Sequence, residues 1–178
     1  MRNSIVRIKG RLFFLLIAGL IAIVLSSALS CSESEQPSRG RTISDSAAPD
    51  FILKDLAGAE FKLSAAKGNP VLLIFLTTWC PTCRSEIPHY KEIYETYGKR
   101  GLEVVGIDIE ETKNRVSQFA AKTRIPYRTL LDEKGRVAGA YDITGIPAMV
   151  LINRDGKVLT RKYFAIETVL ETLLEKKN

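Results

Sequence analysis

Hydrophobic positions along this 178-residue chain change spacing from segment to segment, and the spacing predicts the elements. Residues 71–76, Val-Leu-Leu-Ile-Phe-Leu, are apolar without interruption, the pattern of a central strand buried on both faces. Residues 102–109 read as a second buried strand. Between the two, Ile87, Tyr90, Ile93 or Tyr94, and Tyr97 recur at helical spacing and predict a helix over 81–98. Pro88 falls inside it, removes one backbone hydrogen bond and predicts a kink. A shorter helix is expected at 112–123, a strand at 127–131 and a brief helix at 136–141. Upstream, residues 51–53 and 60–63 flank Asp55-Leu56-Ala57-Gly58 and read as a hairpin, with Ser64 capping one helical turn after it. Downstream, residues 148–152 form a strand that Asn153-Arg154-Asp155-Gly156 turns back into 157–163 as an antiparallel partner. Val169, Leu170, Leu173 and Leu174 mark the apolar side of a closing helix at 166–176. Strands alternating with helices, then a hairpin and a last helix, predict an α/β fold with a mixed central sheet and helices on both faces.

The N-terminus follows another pattern. Arg2, Arg7, Lys9 and Arg11 precede an unbroken apolar stretch over 12–24, and small residues lead from there to Cys31. This is the layout of an export signal, expected over 1–30. It resembles the lipobox of bacterial lipoproteins, whose cysteine is acylated and becomes the new N-terminus. Ala28 stands where leucine is usual and Leu29 where a small residue is usual. Lipidation of Cys31, an uncleaved anchor and soluble secretion all remain open here, and all three place the rest of the chain outside the cytoplasm. Residues 31–47 are rich in Ser, Glu, Pro, Gly and Arg and read as a tether. A flexible coil of that length spans about 20 Å, enough to hold a domain over 48–178 just off a membrane surface.

Charge changes the picture only once the export segment is set aside. The chain carries 26 Lys and Arg against 20 Asp and Glu, for a net charge of +6, but four of the basic residues precede Cys31. The remainder is nearly balanced, and no basic cluster is interleaved with aromatics, so nucleic acid is excluded as a partner.

The chemistry lies in Trp79-Cys80-Pro81-Thr82-Cys83, directly after the first buried strand. If residues from Pro81 onward are helical, Cys80 sits at the helix N-terminus and Cys83 one turn further in, so the sulfurs can bond with little backbone movement. Unpaired N–H groups and the helix dipole favour a thiolate there, which makes Cys80 the expected nucleophile and Cys83 the resolving thiol. Pro81 suits the first helical turn, where its missing N–H costs nothing. Half a zinc site and a static disulfide are the competing readings. Zinc needs four ligands, and the only other cysteine and histidine are Cys31 and His89, so no metal is expected.

Together with Gly145-Ile146-Pro147 before a later strand, and Pro88 five residues past Cys83, this motif resembles the thioredoxin fold. The export segment, the Ala48-Pro49-Asp50-Phe51 opening and the 63 residues between Cys83 and Pro147 narrow the likeness to the TlpA/ResA-like thiol-disulfide oxidoreductases of bacterial envelopes, in the AhpC/TSA-redoxin superfamily. The resemblance implies an N-terminal hairpin, an extra helix and strand within that interval, and Pro147 cis against the dithiol. It makes Ile146 a docking residue that offers backbone hydrogen bonds to an extended substrate segment. It places Trp79 beside the disulfide as part of the docking surface, with simple core packing as the alternative. Thioredoxin carries a buried aspartate six residues before the first cysteine, where this chain has Ile74. Glu86, three residues after Cys83, matches a glutamate linked to tuning the thiols in ResA-like proteins; the alternative is a solvated carboxylate. His89 and Arg84 read as surface or helix-packing residues.

The resemblance further implies disulfide reduction in exported proteins, apocytochrome c for example, through a mixed disulfide. A membrane donor of the CcdA/DsbD type would supply the electrons, with no cofactor beyond the Cys80–Cys83 pair. Two other functions stand beside it. A peroxiredoxin-like peroxidase is suggested by Thr77, three residues before Cys80, but Leu73 replaces the expected proline. A copper carrier of the Sco type uses two cysteines separated by three residues and a distal histidine, neither of which occurs here.

Overall fold

In the computed structural model, residues 46–161 and 166–175 are described. The apolar N-terminal stretch, Cys31, the tether as far as residue 45, and residues 162–165 and 176–178 lie outside them, whereas Ala47 at the end of the expected tether bridges Lys157. Among the described residues no helix is long and apolar enough to cross a membrane.

Seven strands form one sheet: β1 Ile52–Asp55, β2 Glu60–Lys62, β3 Val71–Leu76, β4 Glu103–Ile109, β5 Arg128–Asp132, β6 Ala148–Ile152 and β7 Val158–Thr160. Their order is β2-β1-β5-β4-β3-β6-β7. β3, β4 and β5 are parallel neighbours, joined by helical crossovers, whereas the hairpin strands at either side run antiparallel. The helices are α1 Pro81–Tyr97, α2 Lys113–Thr123, α3 Arg136–Ala140 and α4 Ile166–Glu175. Segment α2–β5 accounts for the long interval between Cys83 and Pro147.

Because β3 is buried on both faces, its alternate residues feed two cores. Leu72, Ile74 and Leu76 pack with residues of α1, α2 and α4, and both cysteines belong to this cluster. Val71, Leu73 and Phe75 pack on the other side with α3 and the N-terminal hairpin. Gly106 in β4 is needed for a close approach, since a Cβ there would stand 3.2 Å from the Tyr127 ring.

Two local expectations differ. The turn after β2 is a 3-10 helix over Leu63–Ala66 that starts one residue before Ser64 and has no side-chain cap. Instead the Ser64 amide donates to Asp50 Oδ1 at 2.9 Å, tying the turn to the segment before β1. The last strand is described over Val158–Thr160, one residue later than the expected start, and residues 162 and 163 of the expected strand lie outside the described residues. α1 continues as one helix through Pro88. Its buried side is Cys83, Ile87, Tyr90, Ile93 and Tyr97, with Tyr94 only partly covered.

Candidate active site

The dithiol stands where β3 gives way to α1, at the C-terminal end of a central parallel strand, a place where α/β sheets present their sites. Cys80 is the N-cap of α1, in extended backbone with φ −71° and ψ 118°, and Pro81 follows within the first turn. The Cys83 amide donates to Cys80 Sγ at 3.2 Å, and the Arg84 amide to the Cys80 carbonyl at 3.1 Å. Sulfur thus serves as the capping acceptor, in the place an Asp or Ser oxygen takes in most helices, at the positive end of the helix dipole. Both cysteines are reduced and buried, Cys83 completely.

Burial pushes the Cys83 thiol up to about 12, with the Cys80 side chain adding to the rise and the Thr77 backbone opposing it. The two sulfurs are therefore unequal. Cys83 is held protonated in the cluster of α1, while Cys80 accepts a hydrogen bond at the helix end.

Around them, Trp79 is 61% exposed. A side chain that open is not packed in the core. The Ile146–Pro147 peptide bond is cis, and Ile146 packs on the cluster that contains Cys80 and Cys83. Glu86 is half-buried on α1; burial, then the charges of Cys83 and Glu86, push the Tyr90 hydroxyl up. His89 faces away toward α4, with Nε2 3.4 Å from Glu167 Oε1. Cys31 lies outside the described residues. Among the described residues no group of His, Cys, Asp or Glu is arranged to hold a metal ion.

A carboxyl pair beneath the loop escaped the sequence reading. Glu111, after β4, accepts from the Thr78 amide at 2.5 Å and from Thr78 Oγ1 at 2.7 Å, and it is buried. Arg115 on α2 approaches its Oε1 to 3.5 Å. Asp108, in β4, is 1% exposed, accepts from no N–H or O–H donor among the described residues, and shares a hydrogen bond with the Glu111 carboxyl. Burial and then the Glu111 charge push Asp108 up to about 8, against the pull of Arg115. The available signal was one acid in a run of aliphatics, Val-Val-Gly-Ile-Asp-Ile, whose neighbours demand burial. Glu111, beside Glu110 and Lys113, looked like an ordinary solvated charge.

The AhpC/TSA family matches residues 45–161. Thiol-disulfide oxidoreductase ResA of Geobacillus thermodenitrificans is 37% identical over 113 residues, which cover 64% of this chain and 65% of that protein, just under two thirds of its length. ResA of Bacillus cereus is 32% identical over 158 residues, covering 85% of this chain and 87% of that protein. A crystal structure of a thiol:disulfide interchange protein of the thioredoxin family from Chlorobium tepidum is similar with a TM-score of 0.63 and 28% identity, covering 73% of this chain and 97% of that one.

Proposed function

Because the chain belongs to the AhpC/TSA family, and its relatives include ResA proteins, we propose that it is a thiol-disulfide oxidoreductase working through a mixed disulfide on Cys80. The observation that carries this reading is the pair of buried, reduced thiols at the start of α1, with the Cys83 amide on Cys80 Sγ at 3.2 Å. Cys80 attacks the disulfide of a partner protein, and one partner sulfur leaves as a thiolate. Cys83 then attacks Cys80, closing the Cys80–Cys83 disulfide and releasing the partner reduced. The cysteine pair carries the two electrons without a bound cofactor.

Trp79 and Ile146 receive the extended partner segment, and Pro147 lines the site beside them. Glu86 tunes the thiols through its charge. Exposure of Trp79 and the contact of Ile146 with the dithiol cluster support these roles. The direction is reduction, of exported proteins such as apocytochrome c, fed by a membrane donor of the CcdA/DsbD type. The protein acts in the bacterial envelope, tethered through residues 1–47 and acylated at Cys31. The basic and apolar N-terminus supports that location.

The test is the reduction potential of Cys80/Cys83 in the full chain carrying Cys31→Ser, equilibrated in dithiothreitol and glutathione buffers. A value at or below about −250 mV supports a reductant. A value near about −120 mV marks an oxidant and overturns the direction. Absence of any reversible dithiol couple overturns the oxidoreductase reading itself.

A further inference from the structure

Residues 77–79 carry the chain from the end of β3 to Cys80, so whatever anchors them decides where the nucleophile stands. An anchor comes from beyond β4. Thr78 donates its amide to Glu111 Oε2 at 2.5 Å and its hydroxyl to Glu111 Oε1 at 2.7 Å, across 33 residues of sequence, and both residues are buried. Arg115 on α2 approaches the same carboxyl to 3.5 Å, and Asp108 shares a hydrogen bond with it. A carboxyl engaged from several directions is fixed in orientation, and a fixed acceptor fixes its donors.

The backbone just before Glu111 is strained. Glu110 has φ 58°, in the left-handed region that residues with a side chain seldom adopt. Its amide donates to the Asp132 carbonyl at 3.0 Å, and its carboxyl lies against Gly135, where a Cβ would stand 2.6 Å from Oε1. The left-handed step turns the chain out of β4, which ends at Ile109, and Glu111 is the first residue after it.

The Thr78 amide belongs to the peptide group that joins Thr77 to Thr78, so holding it sets the plane of that peptide. On one side the Thr77 backbone hydrogen-bonds the Cys83 thiol. On the other, Trp79 and Cys80 follow directly. One anchor thus bears on both sulfurs. A disulfide closes only over a narrow range of Cα and Cβ positions, and groups held near such a geometry react as if at very high concentration.

We propose that Glu111 is a positioning residue for the dithiol: through its two bonds to Thr78 it holds the loop over residues 77–80 so that Cys80 and Cys83 close readily on each other. This rests on the mixed-disulfide reading above. The part Glu111 plays is to raise the effective concentration of one thiol toward the other, not to exchange a proton.

The experiment uses the full chain with Cys31→Ser, as the parent and with Glu111→Ala, Glu111→Gln or Thr78→Val added. Equilibration with reduced and oxidised glutathione gives the effective concentration of the two thiols. Stopped-flow absorbance with Ellman's reagent separates the steps, since attack by Cys80 releases one thionitrobenzoate and closure by Cys83 the second. Glu111→Ala should lower the effective concentration at least about tenfold, which raises the reduction potential by about 30 mV, and should slow the second release by a similar factor. Glu111→Gln should restore both, because its carbonyl accepts from the Thr78 amide and its NH₂ donates to the Thr78 hydroxyl. Thr78→Val keeps the amide bond alone and should fall between. Parent values in Glu111→Ala overturn the proposal, even where urea unfolding shows a less stable variant, because Glu111 then acts on stability only. Glu111→Gln values as low as those of Glu111→Ala overturn it too, since charge and not position is then the cause. Should Glu111→Ala give no cooperative urea transition, Thr78→Val decides, and parent values there overturn the proposal. If the parent chain never releases a second equivalent, the mixed-disulfide reading fails and this proposal with it.

Discussion

Asp108→Asn should stabilise the fold, and by an amount that grows with pH. In the folded chain burial and the Glu111 charge hold Asp108 up at about 8, against 3.8 for an ordinary aspartate. Below that ordinary value both folded and unfolded chains are protonated, and the acid costs nothing. As pH rises between 3.8 and about 8 the unfolded chain releases a proton that the folded chain keeps, so folding loses ground. Above about 8 both are ionised and the loss stops growing. Each pH unit in that window is worth about 1.4 kcal/mol, which sets a ceiling near 6 kcal/mol. Relaxation and water penetration at the rim of the loop reduce this to about 2 to 4 kcal/mol. Asparagine fills the same space and cannot ionise, and its amide can donate to the Glu111 carboxyl that the protonated acid bonds. Urea denaturation of the reduced full chain and of Asp108→Asn at about pH 5, 7 and 9 measures the difference directly. The gap should widen from pH 5 to pH 8 and then level. A gap independent of pH would refute the reasoning, because it would mean that Asp108 titrates as it does in the unfolded chain.

Three further outcomes follow from the same geometry. Cys80→Ser should abolish disulfide reduction, whereas Cys83→Ser should accumulate a mixed disulfide visible as a mass increment on Cys80; failure to trap any adduct would count against the assignment of nucleophile and resolver. Glu111→Ala leaves the buried Thr78 amide and hydroxyl without an acceptor and should cost about 1 to 3 kcal/mol in denaturant unfolding, while Glu111→Gln, which keeps an acceptor oxygen, should recover most of it. Trp79→Ala removes an exposed ring and should change stability by no more than about 0.5 kcal/mol, yet slow reduction of a protein disulfide more than that of a small disulfide such as Ellman's reagent.

How much of this could be read without coordinates depends on the range of the interactions involved. β6 ran over 148–152 as expected because turn chemistry at Asn153 and Gly156 and a run of aliphatics are local signals. α1 began at Pro81 for a similar reason: Cys80 caps it from within the same turn. Helix and strand ends shifted where a distant group intervened, as when the Asp50 carboxylate took the Ser64 amide.

The same division applies to the site. Order along the chain determined that two thiols would lie one helical turn apart at the end of a buried strand, because strand, cap and first turn are contiguous. It determined the two-sided burial of β3, since an unbroken apolar run has no face that water would accept. It did not determine that two acids would be buried against the loop leading to the dithiol. Asp108 and Cys83 are separated by a helix and a strand, and only the parallel register of β3 with β4 sets Asp108 beside Leu76. Glu111 became a buried acceptor because the loop after β3 places the Thr78 amide and hydroxyl at its two oxygens. Solvation decides the character of an acid, and solvation belongs to the packed chain: the same carboxyl is an ordinary charge in an open loop and holds its proton to higher pH when buried in a fold.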